Sequence, residues 1–504
     1  MKTIYLLLIA LLSNQNFCQD IFFEGTDNSQ RKNEVVAEIG NLKITAEEFI
    51  YSYEFGPAFP KKQKDSKLTH LNYMINEKLL ALEGVETGVM DKDYPKDIYK
   101  DIESDLAAEE MFKKEIATNV EVKDSEIEKV IDKKQTEYEI RWLYSNYQTT
   151  IGKYFKLINS GTSFDSIFSN QLNDSVFLDD RQLKTSLYNI YVKNPAFAQI
   201  IDTLKPGVTS NPIHTDDGWY IIKIDNILKS LITNETEYEK LKSESINAIT
   251  KSKLDILSDE YVKELFVDEN PIIKRDVFNV LRSYLGKFIL TSEKYSEFDL
   301  ENKLDLALTN LGLKRGDKYP GLTLVECKSI NITLDEFIVW FKIREQNVKF
   351  IKDDLARFSK SLEDLVWLMV RDKLITEQAY QKGCNKSDWV VRQSEWWKQK
   401  ISYSAYRNEL ANSITLDSEE IKLVDAKSKS QPEILSEKLS KKILYKILEL
   451  KKKYKVSINK NVLDDINVSS ENDKKAIDMY IVKRGNLVPR PAFPSIDSDW
   501  QGWE

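Results

Sequence analysis

Ile44-Thr45-Ala46-Glu47-Glu48-Phe49-Ile50 returns later in the chain as Ile332-Thr333-Leu334-Asp335-Glu336-Phe337-Ile338. In both stretches a Thr is followed three residues on by Glu, the reciprocal pattern that opens a helix. Alternating apolar runs precede each. Val35-Val36-Ala37-Glu38-Ile39 meets a Gly40-Asn41 turn, and Leu324-Val325-Glu326-Cys327-Lys328 passes through Ser329-Ile330-Asn331; each predicts a small β-hairpin. The likeness continues. Asn76-Glu77-Lys78-Leu79-Leu80 pairs with Arg371-Asp372-Lys373-Leu374-Ile375, and both helices close on a glycine, Gly88 and Gly383, a helix-ending signal. Glu115-Ile116-Ala117 with Ile127 mirrors Glu409-Leu410-Ala411 with Ile421. The spacing between partners drifts by only a few residues, as altered loop lengths would produce. One helical unit built twice is predicted.

The helices carry apolar stripes. Leu68, Leu71, Ile75, Leu79 and Leu82 lie on one face, and Ile98, Ile102 and Leu106 form a second stripe. Helices are also expected over about 237–266 and about 435–455, and core packing within each unit is the expected use of all these faces. Trp396 and Trp397 sit at adjacent helix positions that point apart, so at least one ring is expected at a surface or interface. The two copies differ in one respect. The first holds a long insert, residues 137–229, where the second has only the polar linker Lys427-Ser428-Lys429-Ser430-Gln431-Pro432. An insert of that length is expected to fold as its own domain.

The insert opens with Tyr138-Glu139-Ile140-Arg141-Trp142-Leu143-Tyr144, a strand by its composition. Helical stretches follow. It closes with Leu204-Lys205-Pro206-Gly207-Val208-Thr209-Ser210-Asn211-Pro212 and then Gly218-Trp219-Tyr220-Ile221-Ile222-Lys223, the last two strand-like runs meeting at an Asp-Gly turn. This ordered set resembles the parvulin peptidyl-prolyl isomerase domain. The flanking hairpin and helices resemble the chaperone domain of the SurA and PrsA type of secreted foldase.

The resemblance implies an α+β, mostly helical protein: two SurA-N-like helical units, with a parvulin-like domain inserted in the first. The implied division is a first unit at 34–136 plus 230–266, the parvulin-like domain at 137–229, a connector at 267–322, a second unit at 323–466 and a mobile tail at 467–504. It also implies an isomerase site. The family's two histidine positions fall on Trp142 and Tyr220, and its acidic or thiol position falls on Gln182. Phe197 and Trp219 are the implied peptide-binding residues. Trp142 and Tyr220 are expected on one face, packed against each other so as to fill it. Such substitution removes both imidazoles, so isomerase activity is expected to be weak or lost, although the Tyr220 hydroxyl retains one donor for a carbonyl. His214 is expected at a surface turn, outside the site.

Composition narrows the alternatives. With 73 Lys+Arg against 81 Asp+Glu the formal net charge is −8, and no basic block offsets it, so nucleic acid is not an expected partner. Two histidines and three cysteines leave little from which to build a metal site; no metal and no cofactor are expected. Cys327 and Cys384 are read as separate thiols rather than a pair. Lys2 followed by the apolar run Ile4 to Leu12 reads as a signal peptide over residues 1–18. Phe17 before Cys18 argues against a lipid-attachment box, and no later segment is apolar enough to span a bilayer. A periplasmic or otherwise exported location follows, with peripheral envelope association as an option. Three functions fit: a folding factor that binds unfolded or exported polypeptides, a working prolyl isomerase, or a structural subunit of an envelope machine that uses the insert for docking.

Overall fold

The computed structural model describes residues 27–172, 176–215, 217–232, 234–316, 321–469, 481–484 and 488–502. The expected signal peptide at residues 1–18 lies outside them. In chain order the elements are β1 (Val35–Ile39), β2 (Leu42–Thr45), α1 (Ala46–Glu54), α2 (Ser66–Glu86), α3 (Asp93–Glu115) and α4 (Asp124–Gln135). Next come β3 (Thr136–Ser145), α5 (Gln148–Asn159), α6 (Phe164–Gln171), β4 (Gln182–Ser186), α7 (Leu187–Lys193), α8 (Pro195–Thr203), β5 (Ile213–Thr215) and β6 (Gly218–Lys229). The long α9 (Glu235–Glu269) leads to β7 (Ile272–Ile273), α10 (Arg275–Ile289), α11 (Ser292–Glu297) and α12 (Leu300–Asn310). The remainder holds β8 (Thr323–Glu326), β9 (Asn331–Thr333), α13 (Leu334–Arg344), α14 (Leu355–Gln381), α15 (Asp388–Asn412) and α16 (Ser418–Asp425). Last are α17 (Gln431–Lys453), β10 (Val456–Ile458), α18 (Lys460–Asp465), β11 (Ile481–Arg484) and β12 (Val488–Pro491). The fold is α+β and mostly helical. It divides into two compact units: Val120–Lys253, and the chain on either side of it.

Local signals act as the sequence indicates, with one difference. Thr333 and Glu336 form the full reciprocal cap of α13. At α1 the Thr45 hydroxyl accepts from the Glu48 amide at 3.2 Å, but the Glu48 carboxylate turns instead to buried Lys78 at 2.6 Å. Gly88 after α2 and Gly383 after α14 both take the left-handed conformation, φ 76° and 71°, which a side chain would disfavour.

In the larger unit one core combines residues of both segments, and the other lies within the later segment. Ala37 pairs with Ile458, so β10 joins the first hairpin as β10-β1-β2. Ile273 pairs with Val325, so β7 joins the second as β7-β8-β9. One core gathers Val36, Ile44, Phe49, Leu71 and Leu79 with Tyr403 of α15 and Ile443, Ile447 and Leu450 of α17. The other gathers Leu324, Ile332, Phe337 and Leu362 with Leu265 of α9 and Val280 and Leu281 of α10. The expected connector 267–322 therefore includes helices that complete a core. The cause is the seat of α15, which packs against both α2 and α3. At Gly84 an added Cβ would lie 2.7 Å from Ser402 Oγ, so the approach of α2 and α15 depends on that glycine.

The same seat settles the tryptophan pair. Trp396 is buried in the first core, while Trp397 is buried on the opposite side with Leu106 and Val390. They point apart, as adjacent helix residues must, and a helix covered on two sides buries both. Neither is exposed; both rings are buried against residues of the first segment, an interface position. Cys327 and Cys384 are buried free thiols. The expected mobile tail also differs: Phe493, Ile496 and Trp500 are buried in the first core, because three large apolar side chains find a groove there. Residues 470–480, 485–487 and 503–504 lie outside the described part.

His70 is fully buried, its Nε2 3.0 Å from Ser52 Oγ, between Phe49 and Tyr53. Burial, helped by the Lys61 charge, drives its pKa down to about 3. The folded state thus keeps the imidazole neutral while the unfolded chain protonates near 6.5. Stability from this site is complete above that value and falls with acid towards pH 3. Relative to His70→Gln, the wild type should lose about 2 kcal/mol between pH 8 and pH 5. Denaturant midpoints of the two proteins at both pH values check this; parallel pH curves would contradict it.

Candidate functional site

The smaller unit contains a four-stranded antiparallel sheet in the order β4-β3-β6-β5. Its central strands bring Tyr144 opposite Tyr220 and Trp142 opposite Ile222. Directly opposed residues share a face, so all four look to one side. On that side α7 and α8 supply Leu187, Ile190, Ala198 and Ile201, which pack on Tyr138, Ile140, Ile222 and Ile224. On the other side Leu143 and Ile221 pack on Ile151 of α5 and on Phe164, Ile167 and Phe168 of α6.

The helices do not close the first face. A cavity of about 390 Å³ remains, lined by Ile140, Trp142, Leu183, Ile190, Phe197, Tyr220 and the polar Thr185, Asn189, Lys193, Asn194, Thr215 and Asp217. Trp142 and Tyr220 both line it, but they do not fill it by packing on each other. The register sets them diagonally, and the Tyr220 ring packs on Tyr144 at 5.0 Å and edge-on to Phe197 at 6.0 Å. Phe197 is placed by its cap, where Asn194 Oδ1 accepts from the Phe197 amide at 3.0 Å and Pro195 starts α8.

Gln182 and Trp219 are not among the lining residues. Gln182 lies opposite Arg141, on the far face, and its amide reaches Asp179 at 3.1 Å. Leu183, one residue on, takes the cavity side, as strand alternation requires. Trp219 alternates away from Tyr220 and packs on exposed His214 at 4.6 Å, outside the cavity.

The polar rim of the cavity turns on Asp217. Its carboxylate accepts from Thr215 Oγ1 and from Tyr220 Oη, both at 2.5 Å. These two hydrogen bonds, Thr215 first, hold its carboxyl below the usual range. Burial, and then the same carboxylate, push the Tyr220 phenol up. The hydroxyl of Tyr144 lies against the Asp217 carbonyl and the Asn146 side-chain oxygen, and the Arg181 guanidinium covers its ring at 5.1 Å. Gly218 makes room for this: with φ 146°, an added Cβ there would meet Tyr144 Cε2 at 2.6 Å. The Tyr220 proton is therefore committed to a carboxylate. What this hydroxyl offers an incoming peptide is its oxygen, an acceptor, rather than a donor for a carbonyl.

Residues 103–240 match the family model of the PPIC-type PPIASE domain. The chain carries a PPIC-type domain. Solved structures with which the chain aligns include PrsA from Bacillus subtilis, 18% identical, covering 45% of this chain and 92% of that one at a TM-score of 0.17. The foldase PrsA from Streptococcus pneumoniae is 12% identical, with 43% and 87% covered and a TM-score of 0.22. The peptidylprolyl isomerase PrsA from Bacillus cereus is 15% identical, with 57% and 95% covered and a TM-score of 0.20. No curated protein matches the sequence.

Sequence reasoning placed Trp142, Tyr220 and Phe197 of the PPIC-type domain but missed Asp217, Thr215, Tyr144 and Arg181. One signal was available. The hairpin pairs Thr215 with Gly218 and Ile213 with Tyr220, so Thr215 and Asp217 stand at the turn end of the strand that carries Tyr220, close to it in sequence. No comparable signal exists for Arg181, which reaches Tyr144 from the end of an irregular loop.

Proposed function

We propose that this protein is an exported folding factor that binds unfolded polypeptide segments, with its PPIC-type domain acting as a binding module of weak or absent isomerase activity. The observation that carries the reading is the open, largely apolar cavity beside Trp142, in which the Tyr220 proton is spent on Asp217. Rate enhancement requires tighter binding of the twisted amide than of either planar form. An apolar wall binds all three about equally. One donor that would favour the twisted form, the Tyr220 hydroxyl, is engaged by Asp217, and binding with little acceleration is the reading this supports. In this reading the helical unit arose by duplication, and clients are unfolded or exported chains with exposed aromatic and proline residues.

The test is calorimetric titration of the full-length protein with a short proline-aromatic peptide. Binding is expected, and Phe197→Ala should weaken it at least about tenfold by emptying one wall of the cavity. Equal affinity of the two proteins would contradict the reading. Slowed aggregation of an unrelated denatured protein is the second expected result.

A further inference from the structure

The end of the chain is bound as a peptide ligand is bound. From Ala492 to Asp497 the backbone belongs to no helix or strand, yet its side chains are held one by one in a groove of the larger unit between α1, α2 and α15. The Phe493 ring stacks on Tyr51 at 4.0 Å and 13°. Seven residues on, the Trp500 ring stacks on Tyr73 at 5.5 Å. Between these anchors Glu77 Oε1 accepts from the Asp497 amide at 2.7 Å and from the Trp500 indole at 2.9 Å. The Asp497 carboxylate accepts in turn from Lys400 Nζ and Tyr403 Oη, both at 2.8 Å. Two buried aromatic anchors flanking a charge clasp is the arrangement by which grooves select extended peptides.

A second observation points the same way. The groove extends beyond the residues that Phe493 and Trp500 occupy. Between α15 and α17 an open cavity of about 1040 Å³ continues it, walled by Arg407, Ala411, Ile414, Leu435 and Leu439 and on one side by residues Ser498–Gly502 themselves. A longer polypeptide lying in the same track would use this extension.

We infer that Phe493–Trp500 is a self-ligand in a polypeptide-binding groove, and that client segments of the same chemistry compete with it. That chemistry is an extended aromatic-Pro-x-aliphatic-acidic run with a second aromatic three residues after the acid. The inference rests on the polypeptide-binding reading above but names a second site, remote in sequence from Trp142 and Phe197. Resting protein thus holds the groove closed with its own Phe493–Trp500 segment, and a client engages it by displacement.

The experiment measures anisotropy of a fluorescein-labelled peptide with the sequence of residues 488–502, titrated with the full chain, with a chain ending at Arg490, and with full-length Asp497→Ala. The peptide should bind the shortened chain at least tenfold more tightly than the intact chain, and Asp497→Ala, which loosens the clasp, should lie between. A folded shortened chain that fails to bind the peptide, or binds it no better than the intact chain does, overturns the inference. Should shortening prevent folding, Asp497→Ala decides, and an affinity equal to that of the intact chain overturns it. Aggregation suppression by the same proteins separates the two claims. Peptide binding without suppression leaves the groove standing and removes the folding-factor reading, whereas suppression without any gain in peptide binding does the reverse.

Discussion

Replacing Arg344 by Met is expected to cost the intact protein about 3–5 kcal/mol of stability, the loss typical when one partner of a buried ion pair is removed. Arg344 is 1% exposed. Its guanidinium reaches Asp101 of α3 at 2.9 Å and Asp372 of α14 at 3.9 Å, donates to the Trp340 carbonyl at 3.0 Å, and lies over the Trp340 ring at 4.3 Å. Removing it takes away the guanidinium that joins Asp101 of α3 to Asp372 of α14, although Asp372 keeps Arg371 at 2.7 Å, and it does so where α3 of the first segment meets α13 and α14 of the second. Lys at this position keeps the charge but loses the fork that spans the partners, so Arg344→Lys should fall between. Arg357 provides the control. It pairs with Asp353 at 3.0 Å but is well exposed, and Arg357→Ala should cost under about 1 kcal/mol. Denaturant titration of the three variants checks the ranking. An Arg344→Met protein as stable as Arg357→Ala would show that the two segments are not locked at this point.

Restoring histidine at both Trp142 and Tyr220 is expected to raise prolyl isomerisation at least about tenfold over the wild type, a change of about 1.4 kcal/mol in barrier. The geometry favours the second position in particular. Asp217 already lies at hydrogen-bond distance from the residue 220 side chain, so an imidazole there would be oriented by a carboxylate and present its other nitrogen to the cavity. Trp142→His removes apolar area and supplies the second ring nitrogen. The double variant should show the gain, and adding Asp217→Asn to it should take most of that gain away. No gain in a double variant that still binds the peptide would mean that loss of the histidines is not what disables the site.

Much of the local chemistry between neighbours in sequence was readable. The caps at Thr45 and Thr333, the glycines at 88 and 383, the strand holding Trp142 and the long helices all follow from short patterns. Partner choice was not readable. The stripe on α2 could be satisfied by any apolar helix, and nothing in Leu71 or Leu79 records that Tyr403 and Ile447 would join residues of the same segment in covering it. The tail failed for the same reason: Pro489, Pro491 and Pro494 exclude a helix, but extended chain can dock as well as dangle, and docking was decided by a distant groove. Within the site, face assignment by alternation holds from Trp142 to Tyr144. At Gln182 it puts the side chain on the other face, opposite Arg141, while Leu183 takes the cavity side.

The most direct measurement of the central claim is exchange spectroscopy on a proline-aromatic peptide, recorded with and without full-length wild-type protein. The cavity beside Trp142, with the Tyr220 proton held by Asp217, should bind the peptide, broadening or shifting its resonances, while the cis–trans exchange rate stays within about twofold of the free value. Bound peptide exchanging a hundredfold faster would contradict it, and would make this aromatic-lined site a working isomerase.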